Sequence, residues 1–284
     1  MVPGDRPTEL AYLRTGLVEY RLKRRAGPVV LVLHGGHMRA GLVLGEDALA
    51  DHTVLAVSRP GYGRTPASSG TSLEGFADAV RDLCEHLEIP HLAGVVGTSA
   101  GGPSALVLAA RHPELVGRII LESALGFLPW PDLRTRIGAA IAFAPITQRG
   151  TWAVVGKLLR RSPASGLRVM LGSMSTLSAA EVLAELDSSD RTELSELFSR
   201  MRSSHGFRND LRQLAKPIQT VPRQPTLIIA TRSDGAVPFA HAQSLLATLP
   251  NAELVESRAD THLIWFGRDY PEITDRIHAF LANR

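Results

Sequence analysis

The stretch GVVGTSAGG, residues 94–102, runs from a short apolar segment into a knot of small residues around Ser99. A buried strand that turns at once into a helix needs glycine wherever a Cβ would collide with the turn. Gly97-Thr98-Ser99-Ala100-Gly101 has the spacing of a nucleophile elbow, a turn so sharp that the serine hydroxyl stands clear of the sheet. A plain tight turn packed with small residues fits the same letters, and the chain holds 25 glycines. The flanking sequence has to decide.

It decides for a sheet covered by helices. GLVEYRL (16–22), PVVLVLHGG (28–36), HTVLAVSRPGYG (52–63) and GRIILESAL (117–125) read as strands with their following turns. QPTLIIATRSDG (224–235) and AELVES (252–257) follow much later. Runs apolar on both faces are the mark of a parallel sheet buried between helices. Between them, Phe76, Val80, Leu83, Cys84 and Leu87 fall on one helical face, with Thr71 and Glu74 as a capping box in front. The class is α/β, doubly wound. Residues 127–220 interrupt the alternation: they hold no strand-like run, but helical segments, one with a box at Asp190/Glu193 and a stripe of Leu194, Leu197, Phe198 and Met201. A core of residues 1–126 and 221–284, carrying an inserted helical cap of residues 127–220, is predicted.

Bulk properties narrow the function. The chain has 284 residues, 44% hydrophobic and 21% charged, which are globular values. A net charge of +3 gives no reason to invoke nucleic acid. The single Cys84 excludes an internal disulfide and a thiol metal cluster, and its place on an apolar helical face makes it a core residue. The N-terminal segment lacks a basic start followed by an apolar stretch, so no signal peptide is expected. Residues 92–110 are apolar, but their glycines, proline and serines suit a strand and a packed helix rather than a membrane span. A cytoplasmic monomer or homodimer is expected. No His/Asp/Glu spacing of metal-ligand type is present, and no dinucleotide fingerprint follows the first strand, so neither metal nor cofactor is expected.

Active sites of open parallel sheets lie at the carboxyl ends of the strands. Four such ends carry reactive groups: His34-Gly35-Gly36-His37, the Ser99 turn, Asp234-Gly235, and His262. A serine hydroxyl is a poor nucleophile at neutral pH; an imidazole must take its proton and a carboxylate must orient that imidazole. Ser99, Asp234 and His262 supply these groups in the chain order Ser…Asp…His. The glycines at 35 and 36 let the backbone approach and offer an N–H to a developing oxyanion, with a second from Ala100. Glu122, at the end of IILES, is the rival acid. Asp234 is preferred because it sits in a turn followed by GAVP.

Taken together, VVLVLHGG, SRPGYGRT, GTSAGG, the helical interval, RSDGAVP and THLIWFG resemble the α/β-hydrolase superfamily, in particular its capped serine hydrolases, over nearly the whole chain. The resemblance implies an eight-stranded, mostly parallel sheet with a cap inserted after the sixth strand. It implies Ser99 as nucleophile, His262 as base, Asp234 as acid, and Gly36 and Ala100 as oxyanion donors. Gly97 and Gly101 shape the turn, His34 and Gly35 support the oxyanion loop, and His37 faces either pocket or solvent. Relatives usually carry Asp in place of Ser58 and Gly in place of Thr261. Ser99 argues against haloalkane dehalogenase and epoxide hydrolase activity, which use an aspartate. The longer Gly-rich oxyanion run and N-terminal cap of the hormone-sensitive-lipase group are lacking.

The expected activity is hydrolysis of a carboxylic ester or thioester of a small, largely apolar substrate through an acyl-enzyme. C–C bond hydrolysis, aminopeptidase, perhydrolase or lyase chemistry on the same residues, and a non-catalytic ligand-binding role, are the alternatives. The remaining histidines (52, 86, 91, 112, 205, 241 and 278) read as surface or packing residues without partners. From Leu133 to Ala180 every charged residue is basic. The ordinary explanation is pairing with the acidic stretch that follows; the sharper one is steering of an anionic substrate to the pocket mouth.

Overall fold

The computed structural model describes residues 5–130, 147–215 and 217–283. Eight strands, β1 (Glu9–Leu13), β2 (Gly16–Lys23), β3 (Val29–Leu33), β4 (Thr53–Val57), β5 (Gly94–Thr98), β6 (Ile119–Glu122), β7 (Thr226–Ala230) and β8 (Ala252–Glu256), form one sheet in the order β1-β2-β4-β3-β5-β6-β7-β8. β2 runs antiparallel to both β1 and β4, and every pairing from β4 through β8 is parallel.

Strand side chains alternate between two buried faces, which is why the runs are apolar throughout. Leu31, Leu33, Leu55 and Val57 pack into a core with α1 (Leu73–His86), α2 (Gly102–Arg111) and α8 (Ala240–Thr248). Val30, Val54, Val96 and Ile120 point the other way, against α9 (Tyr270–Ala282). Between β6 and β7 the described residues fold into α3 (Gln148–Arg161), α4 (Pro163–Leu171), α5 (Ala179–Glu185), α6 (Ser188–Arg200) and α7 (Gly206–Gln213). The stripe Leu194, Leu197, Phe198 and Met201 is buried, as its spacing predicts. Among the described residues no helix is long and apolar enough to cross a membrane.

Two helix starts differ from expectation. The cap of α1 is Ser72, whose hydroxyl accepts from Gly75 N at 3.1 Å, because Ser72 and not Thr71 is the last extended residue. The box before α6 is Asp187 with Asp190, since that helix begins three residues earlier than Asp190/Glu193 would place it. The strand-bearing order stands; only the caps shift.

Candidate active site

The elbow is built by β5 and α2. Ser99 sits at φ +51°, a left-handed conformation that costs a non-glycine residue energy and persists only where its surroundings hold it. Packing explains the small residues around it. A Cβ on Gly101 would lie 2.1 Å from the Leu33 carbonyl oxygen, and one on Gly97 would lie 2.8 Å from the Ala105 Cβ. Glycine is required at both positions by the approach of β3 and of the α2 backbone.

Asp234 follows β7 and His262 follows β8. His262 Nδ1 lies 2.7 Å from Asp234 Oδ2, and both side chains are buried. The other carboxylate oxygen, Oδ1, accepts from Ala236 N at 2.8 Å and Val237 N at 2.7 Å. With Asp234 ionised, Nδ1 carries the proton and donates it, which leaves the Nε2 lone pair free to accept. Ser99, His262, Gly35, Gly36, His37 and Ala100 all line one cavity of about 440 Å³ beneath the helices between β6 and β7. Ala100 lies in the short turn leading into α2, where helix N–H groups lack intrahelical partners.

The rival acid is placed elsewhere. Glu122 stands opposite Thr98 across the β5–β6 pairing, and Thr98 Oγ1 donates to it at 3.4 Å. Burial pushes its carboxyl up to about 7, which the polar groups of Trp265 and Thr98 offset only in part.

His34 and His37 have distinct surroundings. The His34 ring faces the Gly35 carbonyl through Nδ1 at 2.7 Å; a carbonyl only accepts, so Nδ1 carries the proton. Nε2 then accepts from Arg59 N at 3.0 Å, and the Arg59 guanidinium returns to the His34 carbonyl through Nε at 2.7 Å. Burial, then the Arg59 charge, hold the His34 imidazole well below its ordinary pKa. His37 is half-buried in the cavity wall at φ +63°, with Nδ1 2.9 Å from Ser203 Oγ. Burial, then Arg59, lower its pKa to about 3, so it is neutral.

Sequence reasoning missed several groups. Arg59 and Tyr62 were visible only as letters of SRPGYG; in the fold both bind Asp210 of α7. An aspartate in RNDLRQ carries no local signal of that role. Ser58 is tied to β2: its Oγ accepts from Ala40 N at 2.9 Å and donates to Glu19 Oε2 at 2.7 Å. Burial pulls the Glu19 carboxyl upward, but donors from Arg64, Thr8 and Ser58 outweigh it and hold it below the usual range. Thr261 Oγ1 accepts from Leu263 N at 3.0 Å.

The segment after α4 reaches both catalytic-candidate loops. The Met174 carbonyl accepts from His262 N at 2.7 Å and from Gly235 N at 3.2 Å, and Thr176 N donates to the Ser233 carbonyl at 2.9 Å. Ser123 Oγ donates to the His262 carbonyl at 2.9 Å, so the backbone around His262 is held at its N–H and its C=O.

One expectation needs correction. His112 and His241 do have partners: His112 Nε2 lies 3.0 Å from Asp78, and His241 Nδ1 accepts from Gly126 N at 3.0 Å. As for the basic stretch, Arg149, Lys157, Arg160, Arg161 and Arg168 are exposed, and none lines the cavity. Arg134 and Arg136 lie outside the described residues.

Comparison with known proteins agrees with this topology. Residues 28–268 match the family model of the alpha/beta hydrolase fold. An uncharacterized hydrolase, YcgS, of Bacillus subtilis is 32% identical over 276 residues, covering 94% of this chain and 96% of its own. A pimeloyl-[acyl-carrier protein] methyl ester esterase of Aromatoleum aromaticum is 31% identical over 69% of this chain and 74% of its own. Among solved structures, an alpha/beta hydrolase fold protein from Nakamurella multipartita superposes with a TM-score of 0.79 at 26% identity, covering 97% of this chain and 98% of that one. The chain belongs to the alpha/beta hydrolase family.

Proposed function

We propose that this chain is a serine hydrolase that cleaves a carboxylic ester, or thioester, of a small and largely apolar substrate. The observation that carries the reading is the 2.7 Å contact of His262 Nδ1 with Asp234, which turns Nε2 of the same ring into the proton acceptor in a cavity shared with Ser99. In the proposed cycle Nε2 takes the Ser99 proton as Oγ attacks the acyl carbon. The N–H groups of Gly36 and Ala100 hold the oxyanion. His262 then gives its proton to the departing alcohol or thiol, and water, activated by the same nitrogen, releases the acid and restores Ser99. The helices between β6 and β7 act as the cap, and the site of action is cytoplasmic. The similarity to a methyl ester esterase supports ester chemistry.

The test joins covalent labelling to turnover. An organophosphonate probe should label the wild-type chain and not Ser99→Ala, and Ser99→Ala should lower kcat on p-nitrophenyl esters by roughly 10⁴ or more, since the three groups act as a unit. Labelling that persists on another serine overturns the assignment. Labelling at Ser99 without turnover of any ester in a chain-length series moves the chemistry to C–C bond hydrolysis.

A further inference from the structure

The cavity beside Ser99 is unlike the rest of the interior. All three tryptophans of the chain, Trp130, Trp152 and Trp265, line it. So do Met38, Met170, Met174 and Met201, which are all the methionines other than Met1. If these residues were ordinary core filler they would be scattered. The buried cluster under α1, α2 and α8 contains neither Trp nor Met and is built almost wholly from Leu, Val, Ile and Ala.

The rings beside the oxyanion loop are held in place. His37 stacks on Phe207 with centroids 4.2 Å apart and meets Trp152 edge-on at 5.3 Å, while Trp130 meets Phe207 edge-on at 6.4 Å. Ser203, fully buried, accepts from Trp152 Nε1 at 2.8 Å and bonds His37 Nδ1 at 2.9 Å, which pins both rings through one hydroxyl. His37 is uncharged, so it presents an aromatic surface rather than a cation. Among the described residues, the carboxylate and guanidinium groups of the lining are matched: Arg39 pairs with Asp5, and Glu46 with Arg21.

Resting on the hydrolase reading above, we propose that the substrate is a neutral ester carrying an aromatic ring, seated beneath the wall formed by His37, Trp152 and Phe207 and flanked by the methionine thioethers. Aromatic rings gain from edge-to-face and tilted contacts, and from sulfur at the ring edge, beyond what burial supplies. A saturated ring of the same carbon number gains burial alone and is the more hydrophobic of the two. A preference for the aromatic member therefore cannot come from burial.

The experiment compares matched pairs. In one arm the ring is in the acyl part, methyl phenylacetate against methyl cyclohexylacetate; in the other it is in the alcohol, benzyl acetate against cyclohexylmethyl acetate. In at least one arm kcat/KM should favour the phenyl compound by about tenfold, the sum of two or more such contacts. Trp152→Leu, which keeps the position apolar and removes the ring, should shrink that ratio toward one. A second readout does not depend on turnover. In Ser99→Ala the tryptophan emission, which arises wholly from residues lining the cavity, should change saturably with phenylacetamide and at several-fold higher concentration with cyclohexylacetamide.

Ester turnover with the cyclohexyl compounds equal or better in both arms overturns the aromatic proposal and leaves the hydrolase reading standing. No turnover of any ester, with phenylacetamide still bound more tightly than its cyclohexyl analogue, overturns the ester reading and supports the ring site. Equal emission titrations for the two amides overturn the ring site on binding alone.

Discussion

Arg59 and Asp210 form a two-pronged ion pair: Nη1 and Nη2 of the arginine donate to the two carboxylate oxygens at 2.6 and 2.8 Å, with both residues buried. Tyr62 adds a third donor at 2.6 Å. Through its backbone N–H and Nε the same arginine holds His34, so the pair links α7 to the loop that carries Gly35 and Gly36. Burial works against the guanidinium charge, but Asp210 outweighs it and the Arg59 pKa stays above its ordinary value.

Removing one partner should therefore be worse than removing both. Asp210→Asn leaves a buried guanidinium without its counter-charge and should cost about 3–5 kcal/mol, measured by urea unfolding. The double variant Arg59→Met/Asp210→Leu should lose less than Asp210→Asn alone, as is usual when a buried pair is replaced by apolar groups. A double variant less stable than the single would show that the pair contributes more than its desolvation removes.

Asp234→Asn should lower kcat by on the order of 10⁴ while the fold persists, because an amide at that place favours the wrong imidazole tautomer. Glu122→Gln should lower it far less, since Glu122 bonds Thr98 and Asp234 is the residue on His262. Steady-state rates with matched circular dichroism spectra decide between them, and the reverse order of damage would transfer the acid role to β6.

Glu122 should also leave a mark on stability. Its folded pKa of about 7 exceeds the ordinary 4.5, so between those values the native state binds more protons than the unfolded chain. Stability must then fall as pH rises from about 4.5 to 7 and stay flat above, by up to on the order of 3 kcal/mol from this group. Unfolding free energies of the wild type and Glu122→Gln, measured from pH 4 to 8, should converge at the acid end and separate in favour of the variant toward pH 8. A constant difference across the range would refute the shifted titration.

Gly101→Ala should fail at the level of the fold. Its Cβ would fall 2.1 Å from the Leu33 carbonyl oxygen and 2.7 Å from that of His34, and backbone cannot yield as a flexible side chain can. A loss of more than about 3 kcal/mol is expected, read as a lower unfolding midpoint. Gly150→Ala, with open space around it, is the control and should be neutral or slightly stabilising because it lies within α3.

Sequence patterning alone carried the parallel sheet, because a strand buried on both faces must be apolar almost throughout, as LIIA and VVLVL are. It also carried Ser99, Asp234 and His262 as candidates, since each follows a strand at the end where the loops of such a sheet converge. Between Asp234 and Glu122 the sequence favoured Asp234, from its turn before GAVP, but only the fold shows the 2.7 Å contact of Asp234 with His262. Glu19 reaching Ser58, and Asp210 reaching Arg59 across 151 residues of chain, lay beyond the sequence. Hydrogen bonds between distant segments leave no periodicity and no fixed spacing, so nothing local marks them. The aromatic and thioether wall is of this kind too: its residues come from the loops after β3, β6 and β8 and from the helices between β6 and β7, and only the folded chain brings them around one cavity.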